Sequence, residues 1–94
     1  VLVLSSLAEG EKHGYAIVKD VSAMAGVHLG PGTLYGALSR LEDQGLIEAL
    51  PASGRRRPYR ITADGARVLA QQLRTISAVA ETGLSRLRAQ GVGA

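Results

Sequence analysis

Four arginines fall within six residues, at Arg55, Arg56, Arg57 and Arg60. A guanidinium stays charged throughout the physiological range and presents a planar fork of N–H donors, which suits it to phosphate and carboxylate oxygens. A cluster of that kind is either a solvated loop or a contact for a polyanion, and charge alone leaves both open. Hydroxyl donors that can join it are Thr33, Tyr35 and Ser39, with Arg40 as a further cation, while Tyr15 reads equally as core between the first two helices and as a phosphate contact. His13 and His28 are the only histidines. His13, beside a glycine at the head of a helix, reads as a cap or as a residue that supports another group rather than as a ligand, and His28 as a loop residue. Two histidines without cysteine, and without carboxylates at ligand spacing, do not make a metal centre, and no cofactor is expected. No base stands beside a nucleophile, and neither a GxxxxGK[ST] loop nor a GxGxxG turn follows a strand. The chemistry on offer is recognition, not catalysis.

These groups need a scaffold, and 94 residues suffice for one domain. With 46% apolar and 20% charged residues the chain has the balance of a folded domain rather than a disordered one. Alanine and leucine dominate the apolar share, and Phe, Trp and Cys are absent, which favours helix over sheet and excludes a disulfide framework. No apolar run reaches the roughly 18 residues of a membrane span, and no signal peptide is visible, so a cytoplasmic location is expected. Valine at position 1 suggests a trimmed natural N-terminus. Charge is unevenly placed. Residues 1–54 hold three cations against six anions, whereas the remainder holds eight arginines against Asp64 and Glu81.

Val1, Leu4, Leu7 and Ala8 have helical spacing and predict the end of a buried helix, stopped by Glu9-Gly10-Glu11. A second helix is predicted over 13–25, with Ile17, Val21 and Met24 inward and Gly26 as its stop. Gly30 and Pro31 open a third, since proline is preset for the first helical position. Its inward stripe is Leu34, Leu38 and Leu41, it ends at Gly45, and Thr33, Gly36, Ser39, Arg40 and Asp43 lie on the other face. Leu46 to Leu50 and Tyr59 to Ile61 predict two strands of a hairpin with the arginines at its tip. Pro58 belongs at a strand start or edge, and Tyr59 points inward while Arg60 points out. Thr62 caps a long helix over 63–90, with Asp64 near the positive end of its dipole. Ala66, Leu69, Leu73, Ile76, Ala80, Gly83 and Leu87 alternate in steps of three and four, the seam a coiled-coil partner needs. Residues 91–94 are expected to be a disordered tail.

Three helices, a hairpin with a basic tip and a long amphipathic helix follow the element order of a winged helix-turn-helix carrying a dimerisation arm. The expected fold is mainly α with a small β-hairpin: a winged-helix domain over 1–62 and a dimerisation helix over 63–90. A helix of that length runs about 40 Å, farther than the small head can cover. Its proximal half should therefore pack on its own domain, and Leu73, Ile76, Ala80, Leu84 and Leu87 across a two-fold axis.

His13-Gly14-Tyr15, the block GPGTLYGALSRLEDQGLIE from Gly30 to Glu48, and RRRPYRITADG from Arg55 to Gly65 resemble the PadR family of transcriptional regulators. The likeness runs in register over roughly residues 1–70. It implies a winged-helix DNA-binding domain, a homodimer formed through the C-terminal helix, and repression at an inverted-repeat operator. It puts the recognition helix at 31–44, with Thr33 and Tyr35 in its DNA-facing motif, and the wing at 55–59. Gly30 replaces a frequent serine cap and Gly36 a frequent proline, and the single C-terminal helix resembles the short branch of the family. The expected interface with double-stranded DNA is Tyr15, Thr33, Tyr35, Ser39, Arg40, Arg55, Arg56, Arg57 and Arg60. The family also implies a small hydrophobic effector, although the sequence defines no pocket for one. Two other readings are a winged-helix interaction scaffold without DNA binding and a regulator of the MarR or ArsR type with a different dimer geometry.

Overall fold

A computed structural model describes residues 1–92. The elements, in order, are α1 (Leu2–Leu7), β1 (Lys12–His13), α2 (Gly14–Ala25), α3 (Pro31–Asp43), β2 (Ile47–Ala49), β3 (Pro58–Ile61) and α4 (Ala63–Ala89). The molecule is mainly helical, with one small antiparallel sheet in the order β1-β3-β2. The expected hairpin is thus the β2–β3 part of a three-stranded sheet. β1 pairs Lys12 with Tyr59 and His13 with Pro58. Two residues carry no periodicity, so this strand arises from tertiary pairing alone. Pro58 is the first residue of β3, where its carbonyl accepts from the Leu50 N–H at 2.9 Å.

The core gathers Val3, Leu4 and Leu7 from α1, Ile17 and Val21 from α2, Leu34 and Leu38 from α3, Ile47 from β2 and Leu69 from α4. Leu41 is half-buried at its edge. Three expectations about inward residues are corrected. Val1 and Ala8 are exposed while Val3 and Ser6 are buried, because α1 turns the face one step away from the predicted stripe. Met24, in the last turn of α2, is 47% exposed because the core ends at Val21. On α4 the head-facing residues are Gly65, Leu69 and half-buried Gln72, while Ala66 is exposed.

Helix ends follow their local chemistry. His13 caps α2, its Nδ1 facing the Ala16 N–H at 3.3 Å. Gly30 and Pro31 start α3 as expected, without a side-chain cap. α3 closes through Gly45 at φ 74°, a left-handed conformation that lets Gly45 N–H reach the Glu42 carbonyl and Leu46 N–H the Leu41 carbonyl. Thr62 Oγ1 accepts from the Gly65 N–H at 3.0 Å and donates to the Gly45 carbonyl at 2.7 Å, so one hydroxyl both starts α4 and ties it to the end of α3. Asp64 lies in the first turn and pairs with Arg67. At the far end Val92 N–H reaches the Leu87 carbonyl and Gly91 N–H that of Arg88, so the first half of the expected tail closes the helix. Gly93 and Ala94 lie outside the described residues.

α4 is 27 residues long, about 40 Å, and the molecule measures 55 × 25 × 21 Å. From Leu73 to its end every residue is exposed. The helix therefore projects as a rod from the small head. No helix among the described residues is long and apolar enough to cross a membrane.

Candidate nucleic-acid interface

The wing is built by a tight turn. Ser53 and Arg56 exchange backbone hydrogen bonds of 2.8 and 3.2 Å around Gly54 and Arg55. Gly54 takes φ 65° while Arg55 stays at negative φ, the combination of a type II′ hairpin turn, in which the first central position needs glycine. Arg55, Arg56 and Arg57 are exposed there.

Beside the wing lies a cleft lined by His13, Gly14, Tyr15, Tyr35, Arg55, Arg56, Arg57 and Tyr59. Four separate segments thus converge: the β1–α2 junction, the first turns of α3, the wing, and β3. Tyr35 is held by the close approach of α3 to the head of α2. A methyl group placed on Gly14 would stand 3.1 Å from the Tyr35 hydroxyl and 3.2 Å from Leu34 Cδ2. Gly14 is buried, yet Tyr35 remains 56% exposed, so its hydroxyl faces the cleft without being enclosed. Tyr15 is 65% exposed, and the ammonium of Lys19 lies 5.6 Å from its ring centroid. Lys19 is a cation on this side that the arginine-centred reading of the sequence passed over. Its place one helical turn after Tyr15 was the available signal.

The other expected contacts sort by their position on α3. Gly32, Gly36, Ser39 and Asp43 centre the face opposite Leu34, Leu38 and Leu41, with Tyr35 on one flank and Thr33 and Arg40 on the other. Thr33, Ser39 and Arg40 are exposed, and they lie on this helix outside the cleft. Arg40 folds back along α3, its Nη1 3.5 Å from where a side chain at Gly36 would begin. It also borders a shallow apolar hollow between α1 and α3, formed with Val3, Leu29, Ala37 and Leu41.

Arg60 stands apart. Alternation along β3 turns it away from Tyr59, and opposite Glu48 in the register it donates from Nε to Oε1 at 2.8 Å. The arginine read as an outward cation is therefore ion-paired, a relationship hidden until strand register is known. Burial pushes the Tyr59 hydroxyl above its ordinary value, reinforced by Glu42 and Tyr35 and opposed by Arg57. Among the described residues no cluster of His, Cys, Asp and Glu is arranged to hold a metal ion.

Comparison with known proteins agrees with this architecture. The model of the transcriptional regulator PadR-like family matches residues 3–71. The crystal structure of a PadR family transcriptional regulator from Eggerthella lenta superposes with a TM-score of 0.79 at 35% identity, over 99% of this chain and 80% of that one. Bacillus subtilis PadR, solved in complex with operator DNA, gives a TM-score of 0.68 at 26% identity over 77% of this chain and 44% of that one. An uncharacterized 37.1 kDa protein in transposon TN4556 of Streptomyces fradiae is 43% identical over 77 residues. The match covers 82% of this chain, which spans only 22% of that protein's length. The extent of the family match, together with the shared winged fold, makes this chain a member of the PadR-like family of transcriptional regulators.

Proposed function

We propose that the protein is a sequence-specific DNA-binding regulator, a repressor acting as a homodimer on an inverted-repeat operator. The observation that carries this reading is the convergence of Arg55, Arg56 and Arg57 with the hydroxyls of Tyr15 and Tyr35 on one open cleft beside the exposed face of α3. A B-form major groove is about 12 Å wide and admits one helix, and the glycines and Ser39 on the outward face of α3 allow close approach. The wing would then lie along the adjacent backbone, where its guanidinium groups displace condensed counterions and supply sequence-independent affinity. Ser39 and Arg40, outside that cleft, would read base edges. The DNA complex of Bacillus subtilis PadR supports carrying this geometry over.

Half-sites read by a two-fold dimer lie about 34 Å apart, so the two heads need a spacer. The projecting half of α4 would supply it, with Leu73, Ile76, Ala80, Leu84 and Leu87 as the seam. Measuring duplex affinity against salt tests the proposal. Replacing Arg55, Arg56 and Arg57 together with alanine should weaken binding to all sequences and flatten the slope by about 0.9 for each lost phosphate contact. Arg40→Ala should instead change sequence preference. Binding untouched by the triple substitution would overturn the mechanism.

A further inference from the structure

The imidazole of His13 stands between two hydrogen-bond donors. Its Nδ1 faces the Ala16 N–H at 3.3 Å, and its Nε2 faces Arg56 Nη1, also at 3.3 Å. A neutral imidazole has one N–H and a single acceptor nitrogen, and a guanidinium can only donate. Only one of the two donors can be served at a time. With the proton on Nε2, His13 caps α2 and turns a hydrogen toward Arg56. With the proton on Nδ1, it holds Arg56 and leaves the Ala16 amide without its cap. A second proton removes the one remaining acceptor and places a cation beside the wing.

We infer that His13 is a proton-linked positioning residue for the wing: neutral with its proton on Nδ1, it tethers Arg56 to the head of α2, and doubly protonated, it releases Arg56 and adds its own charge to the DNA-facing cleft. This rests on the DNA-binding reading above. The groups that share the cleft with the ring are cationic or neutral: Arg55, Arg56 and Arg57 from the wing, Tyr59 from β3, Tyr35 from α3 and Tyr15 from α2, while the Glu42 carboxylate of α3 acts on the cleft from behind Tyr59 without lining it. The carboxylates of Glu9 and Asp20 are drawn away by Lys12, at 2.7 and 3.8 Å, and Glu11 is exposed. A backbone phosphate seated among the arginines rewards an imidazolium, because it accepts from the freed Arg56 and from Nε2–H together. Duplex binding should therefore take up protons at His13, and affinity should rise as pH falls through the range where histidine titrates.

The test is duplex affinity at fixed salt between pH 8 and pH 6, for the wild type, His13→Asn and His28→Asn. Asparagine is as good an N-cap as any residue and cannot take a proton, so His13→Asn keeps α2 capped. Wild type and His28→Asn should bind roughly three- to tenfold more tightly per protomer at pH 6, tenfold corresponding to about one unit of difference in protonation equilibrium. His13→Asn should be flat. A pH response that survives in His13→Asn, or is absent from the wild type, would overturn the inference while leaving DNA binding intact. Failure of every variant to bind duplex at any pH would remove the DNA-binding reading itself, and this one with it. Nitrogen NMR of the His13 ring gives an arm independent of DNA. Arg56→Ala should move the free protein at pH 8 toward the tautomer with the proton on Nε2, and an unchanged tautomer population would contradict the tether.

Discussion

A methyl group on Gly65 would lie 2.0 Å from the backbone carbonyl oxygen of Leu46 and 2.8 Å from Ile61 Cγ1. That carbonyl also accepts from the Thr62 N–H at 3.0 Å, so α4 enters the fold directly over the strand that leads into the wing. Neither obstacle can give way cheaply, because one is main chain and the other belongs to the sheet. Gly65→Ala should cost about 3 kcal/mol or more, at the upper end of overpacking effects, although alanine is the better helix former. Urea denaturation measures it. A variant as stable as the wild type would mean that α4 does not approach the sheet this closely.

How much of this was legible beforehand depends on the range of the interaction. Thr62, Gly26, Gly30 and Pro31 were readable as helix starts and stops because capping is settled within a few residues of chain. Leu34 and Leu38 were readable as inward because helical period fixes a face. The role of Gly65 was not, since it depends on what crosses above it. The same holds for Arg60, whose partner Glu48 is twelve residues away and is set by strand register, and for His13, whose contact with Arg56 spans 43 positions. The arginine cluster was visible as charge, but the cleft it shares with Tyr15 and Tyr35 exists only once four segments have met. Met24 misled because a regular stripe continued past the end of the core it faced.

The ion pair of Arg60 with Glu48 restrains a cation next to the wing. Both side chains are largely solvated, at 56% and 47% exposure, so the pair stabilises the fold by no more than about 1 kcal/mol. Its larger consequence is for binding. Glu48→Gln should leave stability nearly unchanged, release Arg60 and remove a negative charge from the face of the sheet turned away from Tyr59. Non-specific duplex affinity at low salt should rise, and the salt slope should steepen by up to about 0.9 per protomer if Arg60 then reaches a phosphate. An unchanged slope would place Arg60 beyond reach of the backbone.

Tyr59 predicts behaviour at high pH. Burial raises its hydroxyl above the ordinary value of 10.0, so between about pH 10 and the raised value the unfolded chain has given up a proton that the folded chain retains. The stabilisation this brings is complete below the unfolded value and is lost as pH climbs through the folded one. Tyr59→Phe should therefore lose less stability than the wild type between pH 10 and pH 11.5, while behaving alike near pH 7. Parallel alkaline denaturation curves for the two proteins would show that Tyr59 ionises as freely as an exposed tyrosine.

The distal half of α4 carries the strongest prediction about assembly. Leu73, Ile76, Leu84 and Leu87 are between 42% and 49% exposed on a single protomer, and their helix extends beyond the head they could otherwise cover. Full burial of such a side chain contributes about 1.5–3 kcal/mol, and since these start nearly half exposed each would add roughly 1 kcal/mol, a sum over two rods on the scale of the cost of association. Because Ile76 and Leu84 are exposed on the projecting half of α4, replacing both with aspartate should spare the fold while placing unpaired charges in the seam. Under the proposed assembly, sedimentation should report a dimer for the wild type and a monomer for the doubly substituted chain at the same concentration. Half-site duplex should still be held by one head, whereas the advantage of a two-half-site duplex, which comes from linking the second contact to the first, should disappear. A doubly substituted chain that still sediments as a dimer would move the two-fold away from α4, and the spacing of the half-sites would then have to be set by the heads themselves.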